Sequence, residues 1–368
     1  MKISRIAQVG AVAAVTALAL AGCAANESTG GDSGSTDGDM SSLSGTINAT
    51  GASSQTAAQE AWVAGFQTAN PDVTVNYEPT GSGTGRENFL SGASEFIGSD
   101  RAFDDEEVAA GGFGACVTDD IVEVPLYISP VAVAFNLEGI DELDLDAATI
   151  AGIFAEEITT WNDPAIADLN PGVELPDSPI TPVHRSDDSG TTETFVNYLA
   201  ATAPDVWTFE VSGEWPLQSG EAAQGTSGVV QAMTSGVGTI GYADASQVSE
   251  LGQVHVGVDG EFIAYSSEAA SALVENSPLV EGRGAGDLVF DIDPASASGG
   301  AYPIALVSYM IGCQQYEDSN VAELVKAYFE YMASPEGQDA AAGNAGSAPI
   351  SDSLREQVLA AIDTIQVG

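Results

Sequence analysis

The sequence predicts an α/β fold in two domains, with a ligand cleft between them. Its first part repeats a unit of strand, small polar or glycine-rich turn, and helix. Three strand ends there carry hydroxyls or a carboxylate, namely Ser53 and Ser54, Ser82, and Asp100. In parallel α/β sheets, ligands lie beyond the carboxyl ends of the strands. Each such end alone would be an ordinary cap or turn, but their coincidence points to a site. Two long apolar runs, 122–135 and 302–311, are far apart in the chain, as expected where it leaves one domain and later returns to it. At 368 residues with 44% apolar side chains, the chain is long enough for two hydrophobic cores.

The first 23 residues stand outside that fold. Lys2 and Arg5 precede the apolar run Val9 to Ala21, and Leu20-Ala21-Gly22-Cys23 closes it. A basic start, a short apolar stretch and a small-residue ending make a secretory signal peptide. The ending resembles a bacterial lipobox, in which Cys23 is lipidated and becomes the first residue, and the run is short for a membrane span. Residues 24–43 are mostly Gly, Ser, Thr and Asp and read as a flexible tether, with a coil reach on the order of 25 Å. The protein is therefore expected on the extracytoplasmic face of the cell membrane, held by its lipid. With Cys23 so assigned, Cys116 and Cys313 remain. In an exported chain they suggest one disulfide, two buried thiols being the alternative.

Charge removes other partners. Asp and Glu number 54 against 8 Lys and Arg, for a net charge of −46. Nucleic acids and anionic membrane surfaces reward basic patches, so neither is an expected partner.

The folded part opens with a strand over 45–50, a polar turn at 51–54 and a helix over 55–66, where Ala58, Trp62 and Phe66 recur at helical spacing. A strand at 73–77, a glycine turn at 81–85 and a helix to Leu90 repeat the unit. That turn lacks the lysine of a P-loop and the spacing of a dinucleotide fingerprint. A third strand covers 95–100. Pro125 and Pro130 divide the run 122–135 into an expected strand, a crossing and a second strand. Helices are expected over 145–154 and within 161–171, followed by a loop-rich stretch at 207–224. A helix from 225 through Met233 and a strand at 238–242 come next. Beyond them the pattern gives strands near Val254 and Phe262, a helix over 268–274, the apolar run 302–311, and closing helices at 321–332, 335–342 and 353–365.

The stretch 181–195 carries the most chemistry. It begins as the end of a strand and runs into the first turns of a helix. Between lie His184, Arg185, Asp187, Asp188 and the run Ser189-Gly190-Thr191. Hydroxyls and free N–H groups at a helix start, with the partial positive charge there, favour an anion. Arg185 adds a planar fork that fits phosphate or carboxylate. A capped helix with a surface ion pair is the plainer reading of the same residues. A hydrolase triad of His184, Asp187 and Ser189 is rejected, because triads draw their members from separate elements.

Several stretches together resemble the PstS family, the periplasmic phosphate-binding proteins of bacterial ABC importers. They are GASSQ at 51–55, TGSGTG at 80–85, FIGSD at 96–100, TTWNDPAIADLNPGVELP at 159–176, HRSDDSGT at 184–191, GTIGYAD at 238–244 and YPIALVSY at 302–309. The resemblance implies a type II periplasmic-binding-protein fold, two α/β domains joined by a two-segment hinge near 127–129 and 305–307. Domain I would be 44–128 with 305–368, and domain II 129–304. It implies phosphate contacts at Ser53, Ser54, Ser82, Asp100, Arg185, Ser189, Gly190 and Thr191, with Asp187 behind Arg185. It also implies a monomer that delivers phosphate to permease subunits, and no cofactor. The chain departs from the family pattern at three points. Ser53 and Ser54 replace a common Thr-Phe pair, so Ser54 is expected to offer only its N–H. Asp188 replaces a usual glycine and is expected to face solvent. Arg101 follows Asp100 directly and could bias the local charge.

Asp100 would be the discriminating group. As a carboxylate it only accepts hydrogen bonds, and phosphate, unlike sulfate, has a proton to give at neutral pH. An enzyme on the same site, such as a secreted phosphatase, would need a metal cluster or an activated nucleophile. His184 and His255 are the only histidines, and the acidic run 141–146 lacks metal-loop spacing. A binder of another oxyanion or of an organic acid, and an acidic surface lipoprotein with no small ligand, are the remaining alternatives. The first of these conflicts with Asp100, and the second leaves the strand-end coincidence unexplained.

Overall fold

The computed structural model describes residues 43–367. The signal peptide, the lipidation position Cys23 and all but the last residue of the tether lie outside the described residues.

In chain order the elements are β1 (Gly45–Gly51), α1 (Thr56–Ala69), β2 (Val73–Glu78), α2 (Ser82–Ser91), β3 (Phe96–Ser99), α3 (Asp105–Ala110) and β4 (Ile121–Asn136). Then follow β5 (Glu142–Leu145), α4 (Ala147–Phe154), α5 (Pro164–Ala167), β6 (Thr181–Arg185), α6 (Gly190–Thr202), β7 (Glu221–Ala223), α7 (Gly225–Ser235) and β8 (Thr239–Asp244). The chain ends with β9 (Gly252–Val258), β10 (Glu261–Ile263), α8 (Ser267–Glu275), β11 (Ala305–Cys313), α9 (Ser319–Ala333), α10 (Pro335–Ala345) and α11 (Asp352–Ile362).

The strands form one path, β2-β1-β3-β11-β4-β8-β6-β7, with β9 pairing β4, β5 and β10 beside it. β1 runs parallel to β2 and β3, and β6 runs parallel to β7 and β8. Two parallel groups therefore flank the antiparallel pair of β11 and β4, and in each group the following helices start at the carboxyl ends of the strands. Strands β2, β1, β3 and β11 are called the β1 side below, and β8, β6 and β7 the β6 side.

The expected strand, crossing and second strand at 122–135 is one unbroken strand of 16 residues. Both prolines are accommodated where a ladder N–H is not needed. Pro125 sits at the register shift opposite Tyr309, and Pro130 sits where the partner of β4 changes from β11 to β8. The two expected crossing segments are antiparallel neighbours, Ile128 opposite Val307 and Ser129 opposite Leu306. A second correction concerns 81–85. Only Gly81 is turn, with φ at 100°, and Ser82 through Gly85 are already the first turn of α2. The short strands β5 and β7 were not expected.

Fifteen consecutive residues of β4 and all of β11 are buried, which is why those two runs read as continuous apolar stretches. Trp62, Phe96, Tyr328 and Phe329 pack on the β1 side, while Phe154, Phe195, Tyr242 and Trp215 pack on the β6 side. Cys116 and Cys313 are joined in a disulfide with Cα atoms 5.3 Å apart, within the β1 side. The loop it closes spans a sequence separation of 197 residues, for which chain entropy gives a stabilisation of roughly 5 kcal/mol.

Candidate functional site

Four helices begin where the two sides of the sheet face each other. α1 follows the Ser53-Ser54 turn, α2 begins at Ser82, α6 at Gly190 and α7 at Gly225. α1, α2 and α7 have no side-chain cap on their first N–H groups. Such ends carry partial positive charge, though at α7 and α2 some of the first N–H groups are taken by Asp187, Ser53 and Asp188. α6 is capped by Ser189, whose hydroxyl accepts from Thr192 N at 3.3 Å.

Asp100, at the end of β3, is the centre of this arrangement and is 6% exposed. Its Oδ1 accepts from Ser54 Oγ and from Ser308 Oγ, both at 2.6 Å. Its Oδ2 accepts from Thr191 Oγ1 at 2.7 Å, a bond from the β6 side to the β1 side. Its backbone N–H donates to Ser82 Oγ at 3.1 Å. Ser53 Oγ lies 3.0 Å from Thr226 Oγ1 and accepts from Thr226 N at 3.0 Å, which again joins the two sides.

Arg185, at the end of β6, is 3% exposed. Its Nε donates to Asp187 Oδ1 at 2.8 Å and its Nη2 to Asp187 Oδ2. Gly225 N donates to the same carboxylate at 3.1 Å. Burial alone would raise the Asp187 carboxyl. The hydrogen bond and charge of Arg185, helped by Gly225 N–H, outweigh it and hold the group below its ordinary value.

Every residue assigned to phosphate by the resemblance thus lies in one place. The structure also brings there three residues that the sequence reading passed over: Thr226, Ser308 and Arg86. Thr226 carried a signal, since Gly225-Thr226-Ser227 repeats the small-hydroxyl helix start of Ser189-Gly190-Thr191. Ser308 and Arg86 carried none, lying inside an apolar strand and a helix.

The three points of departure from the family pattern also resolve. The Ser54 hydroxyl donates to Asp100, which leaves its N–H as the donor free to meet a ligand. Asp188 does not simply face solvent, because its Oδ2 accepts from Arg86 Nη2 at 3.0 Å across the cleft. The physical reason is a buried guanidinium that needs a counter-charge. Arg101 is itself neutralised by Glu107 at 2.6 Å and Glu193 at 3.2 Å. His184 is stacked on Trp215, and its two ring nitrogens lie 2.9 and 3.0 Å from the carbonyl oxygens of Arg185 and Ser219. Neither nitrogen meets Ser189 or Asp187, which disposes of the triad. A cavity of about 780 Å³ opens beside Asp100 and Gly190 and is lined by Arg101, Glu193, Arg283 and Tyr309.

A cleft floored by strand ends and ringed by helix N-termini is the site of a periplasmic-type solute-binding protein. Residues 34–336 match the PBP superfamily domain, and the fold is that of the type II periplasmic binding proteins. Curated relatives narrow this. Phosphate-binding protein PstS 3 of Mycobacterium leprae is 33% identical, covering 87% of each chain. Phosphate-binding protein PstS 3 of Mycobacterium tuberculosis is 33% identical over 99% of this chain and 100% of its own. The chain belongs to the PstS family, whose named members are binding proteins and not enzymes. The solved structure of PfluDING, a high-affinity periplasmic phosphate-binding protein bound with phosphate, matches with a TM-score of 0.67 at 23% identity, covering 85% of this chain and 92% of that one.

Proposed function

We propose that this chain captures inorganic phosphate between the two sides of its sheet and delivers it to the membrane permease of an ABC importer. The observation that supports this most is the meeting of four helix N-termini around one arginine and one carboxylate. Neutral dipoles and a half-neutralised cation suit a dianion that must be held tightly and still released. In this reading Ser53, Ser54, Ser82, Ser189, Gly190 and Thr191 donate to phosphate oxygens. Arg185 offers the fork edge that Asp187 does not occupy. Asp100 accepts a hydrogen bond from the ligand's own proton.

The two sides then act as domains, 44–128 with 305–368 against 129–304, and β4 and β11 form the two-segment hinge at 127–129 and 305–307. Closure would be a hinge motion about those paired strands. The protein works outside the cytoplasm as a monomer, tethered through lipid on Cys23. Among the described residues no helix is long and apolar enough to cross a membrane. Alanine at Cys23 should release the protein from membranes without changing its affinity, and a variant that stays bound would refute the anchor.

Titration calorimetry with phosphate and sulfate tests the central claim. Strong binding of phosphate with sulfate excluded is the expected result. Equal binding of both would favour a general oxyanion binder, and heat from neither would end the reading.

A further inference from the structure

Arg86 is a charge out of place on the β1 side. It sits in α2 with its side chain 5% exposed, and its Nη1 donates to Ser99 Oγ at 3.1 Å. Among the described residues, the carboxylate within ion-pair distance of it is Asp188, which belongs to the loop between β6 and α6 on the opposite side. Burial, with Arg101 nearby, disfavours its charged form; Asp188 is the foremost of the carboxylates that offset this, with Glu107 and Glu193 behind it.

The loop of Asp188 is shaped for the crossing. Asp188 O accepts from Gly83 N at 3.2 Å, a second bond between the sides. The carboxylate itself passes between Gly83 of α2 and Gly213 of the β6 side. A Cβ on either glycine would overlap it. Ser189 N, next in the chain, is bound to Gly213 O at 3.0 Å, which fixes the loop from behind. The slot exists only when the two sides are together.

The ion pair of Arg101 across the cleft is different. Arg101 meets Glu193 of α6 at 3.2 Å but also holds Glu107 of its own side at 2.6 Å. It keeps an ion pair when the sides part, whereas Arg86 keeps only the Ser99 hydroxyl and the more distant Glu107.

We propose that Arg86 and Asp188 form a latch across the cleft, which favours the closed arrangement over bound phosphate and so governs how slowly the ligand leaves. This rests on the reading of phosphate capture given above. Both residues are positioning residues that act through closure. Phosphate enters an open cleft before the latch forms, so the pair acts on release rather than on encounter. A contact present only in the closed state shifts the population toward it and lengthens residence. Because Asp188 remains 42% exposed, the latch is reachable by salt, and raising ionic strength weakens it.

Rapid-mixing kinetics with inorganic phosphate on the intact protein test the latch. Asp188→Asn keeps the shape of the loop and removes the charge. Its phosphate release is expected to be at least about 5-fold faster than wild type, the lower end of ordinary coupling between a ligand site and a two-state element. Association should stay within about twofold. Added salt should speed release from wild type and change the variant little. In a double-mutant cycle with Arg86→Gln, the second substitution should add almost nothing to the first. If the buried Arg86 variant does not fold, the salt response of Asp188→Asn decides alone. An unchanged release rate, or the same salt response in both proteins, overturns the latch. If wild type shows no phosphate binding, the functional reading has failed instead. Small-angle scattering of the unliganded proteins then decides, where a larger radius of gyration in Asp188→Asn supports the latch and an equal one overturns it.

Discussion

The two sides of the cleft contribute opposite chemistry. The β1 side brings hydroxyls and one carboxylate: Ser53, Ser54, Ser82 and Asp100. The β6 side brings the cation, Arg185, with Ser189, Gly190 and Thr191, and both sides bring helix starts. An acceptor can only question a ligand about its protons, while a cation responds to negative charge of any kind. Under the function proposed above, the β1 side would choose which anion is held and the β6 side would decide how firmly.

The sharpest way to break that division is Asp100→Asn. With sulfate, two acceptors would face each other in a dry cleft, an arrangement that sites built on one hydrogen bond reject by roughly 10⁴–10⁵. Asparagine keeps an oxygen for Ser54 and Ser308, and the Thr191 hydroxyl can turn to accept from its amide. The fold should therefore persist, and the phosphate-over-sulfate ratio should fall by up to roughly 10⁴, mainly because sulfate is admitted. Competitive binding of the two anions near neutral pH measures it. A ratio that does not move would remove Asp100 as the selector.

Arg185→Lys probes the other side and should have a smaller, different effect. Lysine cannot present a fork to Asp187 and to a ligand at once. Loss of a charged hydrogen bond should weaken phosphate by roughly 10- to 100-fold. Any sulfate binding seen in the Asp100→Asn background should weaken by the same factor, since charge is what both anions share. Calorimetry on single and double variants checks this. A change in the ratio rather than in both affinities would dissolve the division between the sides.

The smallest effect on binding is expected at a group that both sides share. Asp244, at the end of β8, is fully buried and accepts from Tyr127 of β4 at 3.0 Å and from Ser246. Burial pushes its carboxyl up from an ordinary value near 3.8 to about 6, against the lowering effect of Ser246, Ser129 and Tyr127. A raised folded value means the folded chain binds that proton more tightly. The resulting stability is fully present below about 3.8 and is lost as pH rises through about 6. It amounts to on the order of 3 kcal/mol. Denaturant unfolding from pH 4 to 8 should show this fall in wild type and not in Asp244→Asn, with the anion ratio the same in both. Parallel pH curves would show that Asp244 does not titrate in this window.

Much of this was legible in local sequence because the site is made of strand ends and helix starts. Glycine, serine and aspartate at those points announce themselves through turn and cap chemistry. The site residues that went unread lack such a signal or depend on distant contacts. Ser308 reads as one more member of a buried strand, and only its neighbour Asp100, 208 positions away, gives it a role. Arg86 reads as an exposed helical cation, yet it is buried and its counter-charge is 102 positions away. The two prolines of β4 misled for a related reason. Their missing N–H groups argue against a strand unless the neighbouring strands shift or change there, which they do. Ser82 through Gly85 have poor helix propensity, and the chain there becomes helical because Gly81 turns with positive φ and the ends of β1 and β3 receive the first turn.

The cations of the described chain are all spoken for. Arg86, Arg101, Arg185, Arg283, Lys326 and Arg355 each meet a carboxylate. What remains for the outer surface is an almost purely anionic coat, in a chain whose Asp and Glu number 54. A phosphate dianion diffusing toward the cleft therefore meets a repulsive field before it can feel any helix end or arginine. At 0.01 M salt that field extends about 30 Å, and at 0.15 M about 8 Å. Capture by this protein should accordingly quicken as salt is added, visible as an association rate constant that rises with ionic strength, the reverse of the electrostatic steering common where protein and ligand carry opposite charge.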